Sequence, residues 1–323
     1  MKYAIRTLAL AATLAASGWA NAASVDLPAG GGGLTVTYAG HDAVLTFKTG
    51  SGTLEFSNGT GVLGGVPKTA VGGLVGALNV GKVTLTEVDG SVITQKNVKL
   101  SRSSPRGIVT IAAGVTGLKA DDQTGAVTSV TSFGGAQQDA NFLDGVLDGG
   151  RVTVKNLRFD LTNKVVYADM TGQALNADNT TYGPLQTSLN TPLWNITTID
   201  GPTVMPPSAI VAASRGNTAP LQSLGYTLTA AGTGYDVSAS NQLKGLMVTS
   251  TGFDFFATSL GLTPGSTGYT TLQGVNGQPD GWGSVQSSLS LHIEPTIPEP
   301  ASYALALAGL AVMVGVQRRR QKA

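Results

Sequence analysis

The sequence contains no cysteine and only two histidines, His41 and His292, among its 323 residues. Without cysteine the chain has no disulfide, no thiolate nucleophile and no zinc–thiolate site. A Ser-His-Asp triad needs a histidine as its base, and no Gly-x-Ser-x-Gly elbow accompanies either histidine. We therefore expect both to be ordinary surface residues, and we expect no catalytic residue, no metal site and no cofactor.

Charge is also scarce, because 20 Lys+Arg and 19 Asp+Glu make up only 12% of the chain. This near-neutral composition excludes a nucleic-acid binder. The shortage of charged residues argues against helical bundles and coiled coils, which are rich in Lys, Glu, Leu and Arg. Hydrophobic residues, at 41%, are too frequent for a wholly disordered chain. Glycine, threonine and serine are abundant and together form a third of the sequence.

The N-terminal 22 residues have the three parts of a secretory signal peptide. Basic residues come first, the apolar stretch Leu8–Ala16 follows, and a small-x-small triplet ends at Ala22. Ala20 and Ala22 are the small residues that signal peptidase reads, so the mature chain is expected to begin at Ala23. The apolar stretch is about half the ~20 residues that a membrane span requires, which argues against a permanent anchor helix.

The C-terminal segment 298–322 combines a short motif, an apolar stretch and a basic end. The motif consists of Pro298, Glu299, Pro300, Ala301 and Ser302. Residues 301–317 would form a helix of about 26 Å, enough to cross a thin bilayer. The basic end, 318–322, contains Arg318, Arg319 and Arg320, which would remain in the cytoplasm under the positive-inside rule. The two prolines prevent helix upstream of the span and keep the motif extended.

These three features, in this order, resemble the PEP-CTERM sorting signal of Gram-negative bacteria, whose tail is also known as an ice-binding protein C-terminal region. The resemblance implies recognition and cleavage by an exosortase, a membrane-bound cysteine transpeptidase-like enzyme, after export through the secretion translocon. It also implies a host that makes exopolysaccharide or biofilm. The alternative is an ordinary C-terminal anchor that is not processed. The irregular spacing of the Thr-x-Thr pairs argues against ice binding.

Removal of both ends would change the charge of the protein. The remaining chain would hold 14 basic and 18 acidic residues, a net charge of −4. A mildly acidic body is unsuited to electrostatic binding of DNA or anionic lipid.

The body, residues 23–297, alternates apolar and polar residues between glycine-rich turns, which predicts an all-β fold. We expect a β-sandwich or a related two-sheet stack. Hairpins are predicted with turns at Gly50-Ser51 and Asp89-Gly90. At Asn156 the apolar residues change from even-numbered to odd-numbered positions, which predicts a β-bulge or the junction of two strands. The core is expected to contain alternating residues of these strands, namely Leu45, Phe47, Leu54, Phe56, Val154, Phe159 and Val165.

Other patterns of the body are weaker. Short helices are possible at 69–78, 138–147, 208–214 and 253–260. The Pro-rich stretch 200–207 interrupts the strand pattern and is a possible boundary between two parts of the body. We expect one continuous domain.

Two functions are compatible with these features. The first is an exported cell-surface or extracellular-matrix protein without its own catalysis, anchored transiently in the inner membrane and then released by the exosortase. The second is a secreted carbohydrate-binding module or glycoside hydrolase, which would need an aromatic platform or two carboxylates at a cleft. Extracellular polysaccharide is a possible partner in both. Candidate platform residues are Trp194, Trp282, Tyr182, Tyr226, Tyr235 and Tyr269.

Overall fold

The computed structural model describes residues 24–58, 72–94 and 109–296. The strands are β1 (Ser24–Pro28), β2 (Leu34–Tyr38), β3 (His41–Phe56), β4 (Thr84–Val88), β5 (Val92–Ile93), β6 (Thr110–Asp121), β7 (Val127–Phe133), β8 (Gly135–Ala140), β9 (Gly150–Asp160), β10 (Val165–Ala174), β11 (Gln186–Asp200), β12 (Thr227–Ala231), β13 (Gly234–Val248) and β14 (Gly283–Pro295). The helices are α1 (Gly73–Val80), α2 (Pro207–Ser214), α3 (Ala219–Ser223), α4 (Ser250–Ser259) and α5 (Thr267–Gly274), with a 3-10 turn at Val275–Gly277.

All fourteen strands belong to one antiparallel sheet, and eight of them form a closed ring. The ring runs β3, β14, β13, β11, β10, β9, β7 and β6, and β6 pairs again with β3. The all-β prediction is therefore confirmed, but one closed sheet replaces the expected sandwich of two sheets. Closure removes free strand edges from the ring, because each of its strands has a neighbour on both sides.

The predicted hairpin at Gly50-Ser51 is wrong, because β3 continues as one strand from His41 to Phe56. The partner strand β14 pairs with it along this whole length, from Ala43 opposite Pro295 to Phe56 opposite Gly283. Gly50 serves close packing and not a turn. A Cβ at this position would lie 2.8 Å from Leu289 Cδ2 and 2.9 Å from Val115 Cβ.

Two other local predictions have different outcomes: at Asp89-Gly90 the turn is present but the predicted hairpin is not, whereas the bulge at Asn156 is confirmed. Asp89 and Gly90 have φ angles of 52° and 79°, as the primed two-residue turns require. The strands on either side of this turn then diverge, since β4 pairs with β8 and β5 pairs with β6. Asn156 lies in the left-handed region, with φ of 53°, and β9 continues through it. The pairing of β9 with β10 shifts register beside it, which identifies a β-bulge.

Three of the four possible helices are found, as α1, α2 and α4. The fourth, at 138–147, is wrong because residues 138–140 belong to β8, which lies between β4 and β9. Within the described ranges, no helix has both the length and the apolar character needed to cross a membrane. The predicted span at 301–317 and the signal peptide lie outside those ranges.

The buried hydrophobic residues form one cluster, which covers the inner face of the ring and extends to α2 and α4. Six of the seven predicted core residues are buried, and they are Leu45, Phe47, Leu54, Phe56, Val154 and Phe159. The seventh, Val165, is only half-buried, and its neighbour Val166 is fully buried instead. Successive strand residues point to opposite faces, so the prediction for this strand was wrong by one position.

Candidate functional site

The predicted sorting and cleavage residues lie outside the described part of the chain. These residues are Ala20, Ala22, Ala23, Pro298, Glu299, Pro300, Ala301, Ser302, Arg318, Arg319 and Arg320. The structure does describe the segment that leads to the motif. Strand β14 lies between β3 and β13 and ends at Pro295. The next residue, Thr296, donates a hydrogen bond from its hydroxyl to the Asp42 carbonyl oxygen, at 3.2 Å. The motif therefore begins two residues after a side chain held by the sheet.

The inner face of the ring encloses a cavity of about 140 Å³. Its walls come from seven of the ring strands, from β1, β2 and β8, and from α2. Most lining residues are aliphatic or aromatic, including Leu54, Val115, Phe159, Val285 and Leu289. Protein interiors seldom contain such spaces, so this cavity is a prominent feature of the fold.

Gly52 explains part of the free volume. It lines the cavity on the inner face of β3, between the buried Leu54 and the tightly packed Gly50. An added Cβ at Gly52 would meet a single neighbouring atom within 4 Å, the Gln286 carbonyl oxygen at 4.0 Å. Any ordinary side chain at this position would therefore enter the cavity, and glycine keeps the space open.

One polar group faces this apolar space from β13. Ala239, Asn241 and Leu243 are alternate residues of the strand, and all three line the cavity, so Asn241 points inward. Its Oδ1 atom is buried and has no hydrogen-bond partner among the described residues. Ser287, which also lines the cavity, is its cross-strand neighbour on β14. An acceptor buried without a partner costs about 1–3 kcal/mol, so Asn241 is a costly residue to keep in this wall.

One end of the cavity reaches the loop between β6 and β7. Asp121 and the exposed Asp122 line this end, opposite Thr203 in the connection from β11 to α2. Hydrogen bonds from the backbone N–H and hydroxyl of Thr124 hold the pKa of Asp121 below its usual value. Asp121 is therefore negatively charged at neutral pH. This acidic end disfavours the entry of an anion.

Tyr226 closes another part of the wall. Burial raises the pKa of its hydroxyl to about 12. The hydroxyl donates a hydrogen bond to the Val204 carbonyl oxygen at 3.1 Å. This tyrosine is therefore a neutral wall residue whose proton is already engaged.

A second polar cluster lies on the outer face of the ring, across β3, β13 and β14. His292 Nδ1 lies 2.7 Å from Asp236 Oδ1, and Lys48 Nζ lies 2.8 Å from the same oxygen. The hydrogen bond from Lys48, followed by that from His292, lowers the pKa of Asp236. The other ring nitrogen, Nε2, lies 3.9 Å from a carboxylate oxygen of Glu294.

These contacts correct the expectation for one histidine. His41 is exposed, as predicted, whereas the side chain of His292 is 20% exposed and paired with a carboxylate. A Ser-His-Asp triad would need a hydroxyl next to the histidine. In the part of the chain that the structure describes, the hydrogen-bond partner of the His292 ring is instead the Asp236 carboxylate. Nor do the described residues contain a group of three side chains able to hold a metal ion. The cluster links three adjacent strands through the Lys48–Asp236 ion pair and the His292–Asp236 hydrogen bond.

The candidate aromatic platform for polysaccharide is not assembled at the surface. Trp194 and Trp282 are buried, with ring centroids 6.4 Å apart, and Trp282 packs edge-on against Phe256 at 5.1 Å. Tyr226 is buried in the cavity wall. Tyr182 is exposed and is covered on one face by the guanidinium of Arg151, 4.2 Å from the ring centroid. The two tryptophans are therefore core residues that cannot stack on a sugar.

Gly52 and Asn241 were missed by the sequence analysis. Gly52 directly follows the turn predicted at Gly50-Ser51, and two glycines between two apolar runs are also the pattern of a hairpin. Asn241 lies in a part of β13 that was not predicted as strand. The sequence does contain a signal for Asn241, because it stands at a position of the period-two alternation where an apolar residue is expected.

Comparisons with known proteins identify the C-terminal segment. A family model described as the PEP-CTERM protein-sorting motif matches residues 296–321, a range that includes the motif and all three arginines. No curated protein matches the chain. Among solved structures, the heme binding protein HtaB from Corynebacterium glutamicum is similar at 14% identity, over 79% of this chain and 97% of that chain, with a TM-score of 0.36. A TM-score this low supports no conclusion about the fold or the ligand of this chain. The chain thus carries a PEP-CTERM protein-sorting motif, which implies an exosortase-targeted surface protein.

Proposed function

We propose that this chain is an exported, exosortase-processed protein of the cell surface or extracellular matrix, whose body acts without catalysis of its own. The observation that carries the proposal is the sorting motif at residues 296–321. In this proposal signal peptidase removes residues 1–22 during export through the translocon. The apolar segment 301–317 then holds the chain in the inner membrane, with Arg318–Arg320 in the cytoplasm. The exosortase cuts near Pro298–Pro300 and delivers the body to the surface or an exopolysaccharide matrix.

The end of the fold supports this order of events. Pro295 pairs with Ala43 in the sheet, and Thr296 is hydrogen-bonded to Asp42, so the folded body reaches to within two residues of Pro298. The two prolines of the motif disfavour helix at their own and the preceding positions. We therefore expect an extended motif next to the body, which would suit binding in a protease-like cleft. Glu299 provides the one charge that a basic pocket of the enzyme would read.

The test is fractionation and intact-mass measurement in a bacterium that carries an exosortase. The wild-type chain should lose its tail and leave the inner membrane. Glu299→Ala should preserve the span but impair recognition, so that uncleaved protein accumulates in the membrane. Glu294→Ala is the matched control, because it removes a carboxylate from the adjoining strand and leaves the motif unchanged. Cleavage of this control should be normal.

Replacement of all three arginines should weaken membrane retention, since each charge costs ~2.5 kcal/mol or more to translocate. The proposal fails if the wild-type protein keeps Arg318–Arg320 in that host and remains in the membrane. An uncleaved chain would be simply anchored.

A further inference from the structure

We infer that the cavity inside the strand ring is a binding site for a small uncharged molecule about the size of one hydrophobic ring. Phenol and toluene have this chemistry and serve as the probes below. The inference concerns the body alone and is independent of how the tail is processed. It rests on the volume of the cavity, its lining, and the open glycine position on β3.

Volume and lining set the size and polarity of the ligand. An engineered cavity of about 150 Å³ in another protein, lined by Leu, Ile and Phe, stays dry and binds benzene. The cavity here has about 140 Å³ and a wall of the same character, built from residues such as Leu54, Val115, Phe159 and Leu289. A molecule near the size of one aromatic ring fits this space. Because the wall offers few hydrogen bonds, water is a poor occupant.

One wall position indicates that the space is a binding site and not merely loose packing. Gly52 faces the cavity, and its Cβ direction is open, although nearly any larger residue would fill the space and fit a β-strand. Asn241 also lines the cavity, but its carbonyl oxygen is buried beside Gly201 and is not accessible from the space. A small uncharged ligand would occupy the volume that Gly52 leaves open.

Charge defines what the site rejects. Among the described residues, no basic side chain lines the wall, and its carboxylates, Asp121 and Asp122, lie at the end that reaches the surface. An anionic ligand would lose its hydration in the apolar interior without gaining an opposite charge. A neutral phenol-like molecule should therefore bind, whereas benzoate, which has a similar ring and a negative charge, should not.

The experiment is a titration of the full-length chain in lipid nanodiscs, followed by methyl NMR of its Leu, Ile and Val residues. Phenol should cause saturable shifts of Leu54, Val285 and Leu289 below about 10 mM. Toluene should shift the same methyl groups. Benzoate should leave them unchanged. Since these signals come from the protein interior, partition of the probes into the lipid does not produce them.

Variants separate the cavity from other sites. Gly52→Leu should weaken binding of phenol and toluene at least tenfold, and the smaller Gly52→Val should weaken it in the same direction if the leucine variant does not fold. Gly114→Leu is the matched control, because Gly114 is an exposed glycine of the neighbouring strand β6 with no atom near its Cβ direction. Its binding should equal that of the wild type.

Three results would overturn the inference. The first is the lack of saturable phenol shifts at the cavity methyl groups. The second is equal phenol binding by the wild type and Gly52→Leu. The third is benzoate binding as tight as that of phenol, which would contradict an uncharged ligand.

Discussion

Replacing Gly52 by valine should stabilise the protein, although glycine-to-valine changes in a core are usually expected to do harm. The added Cβ meets one atom within 4 Å, so the side chain enters the 140 Å³ cavity instead of displacing a neighbour. Loss of glycine's backbone freedom in the unfolded chain contributes about 0.5–1 kcal/mol. Each buried carbon adds up to about 0.8 kcal/mol, reduced by any imperfect fit. We expect a net gain of about 2 kcal/mol.

Gly50→Ala is the matched comparison, two residues away on the same face of β3. Its new methyl group would lie 2.8 Å from Leu289 Cδ2 and 3.2 Å from Phe47 Cζ, so the neighbours must move. Overpacking of this kind costs about 1–3 kcal/mol, which exceeds the entropic gain. The two variants should therefore change stability in opposite directions.

Thermal unfolding followed by circular dichroism measures both effects. A change of 1 kcal/mol corresponds to roughly 2–4 °C in Tm for a protein of this size class. Gly52→Val should raise Tm by about 4–8 °C, and Gly50→Ala should lower it. If Gly52→Val lowered Tm, the position would not face free volume, and the description of the cavity would be wrong.

Three further changes test other parts of the structure. Phe47→Ala should lower the free energy of unfolding by about 3–5 kcal/mol in urea, because Phe47 is 1% exposed in the core. Thr181→Val should raise the pKa of Asp178, which hydrogen bonds from the Thr181 hydroxyl and from backbone N–H groups hold at about 2, as an NMR titration would record. Lys48→Met should cost under about 1 kcal/mol at pH 7, since its ion pair with Asp236 is partly exposed. The pKa of Asp236 is lower in the folded chain, so this contribution is present above its unfolded pKa. It is lost as the pH falls through the folded pKa, and urea unfolding at pH 7 and pH 2 should show that loss.

Local features of the fold could be predicted wherever a few neighbouring residues determine the backbone. The turn at Asp89-Gly90 and the bulge at Asn156 are of this kind, because each requires a left-handed residue and the sequence supplies one that tolerates it. The helix α2 also follows from its own residues, since Pro206 is its N-cap and Pro207 its first residue, where proline favours the first turn.

Features that depend on distant partners could not be predicted. Gly50-Ser51 has the pattern of a turn, and only the presence of β14 along the whole of β3 shows that the strand continues. Gln138 is similar, because its pairing in β8 overrides a weak helical pattern. The closed ring itself depends on the pairing of β7 with both β6 and β9, which no local pattern encodes.

The cavity could not be predicted for the same reason. Eight strands set the size of the space inside the ring. The cavity is the part of that space that the inward-facing side chains do not fill. No single segment contains that information, although the polar residue at 241 was a visible exception to the alternation. The sorting motif is the opposite case, since a linear peptide is read directly from the sequence.

The position of β14 has a consequence for the order in which the protein is made. Its ladder with β3 joins residues that are far apart in the chain, and even the closest pair, Phe56 and Gly283, is separated by 227 positions. The ring therefore cannot close until nearly the whole body has been synthesised and exported, and such non-local pairing folds slowly. In the proposed sorting route, the tail that follows β14 tethers each new molecule at the membrane during this interval. Cleavage before closure would release a chain with exposed strand edges, so a delay in cutting would protect the secreted population from aggregation.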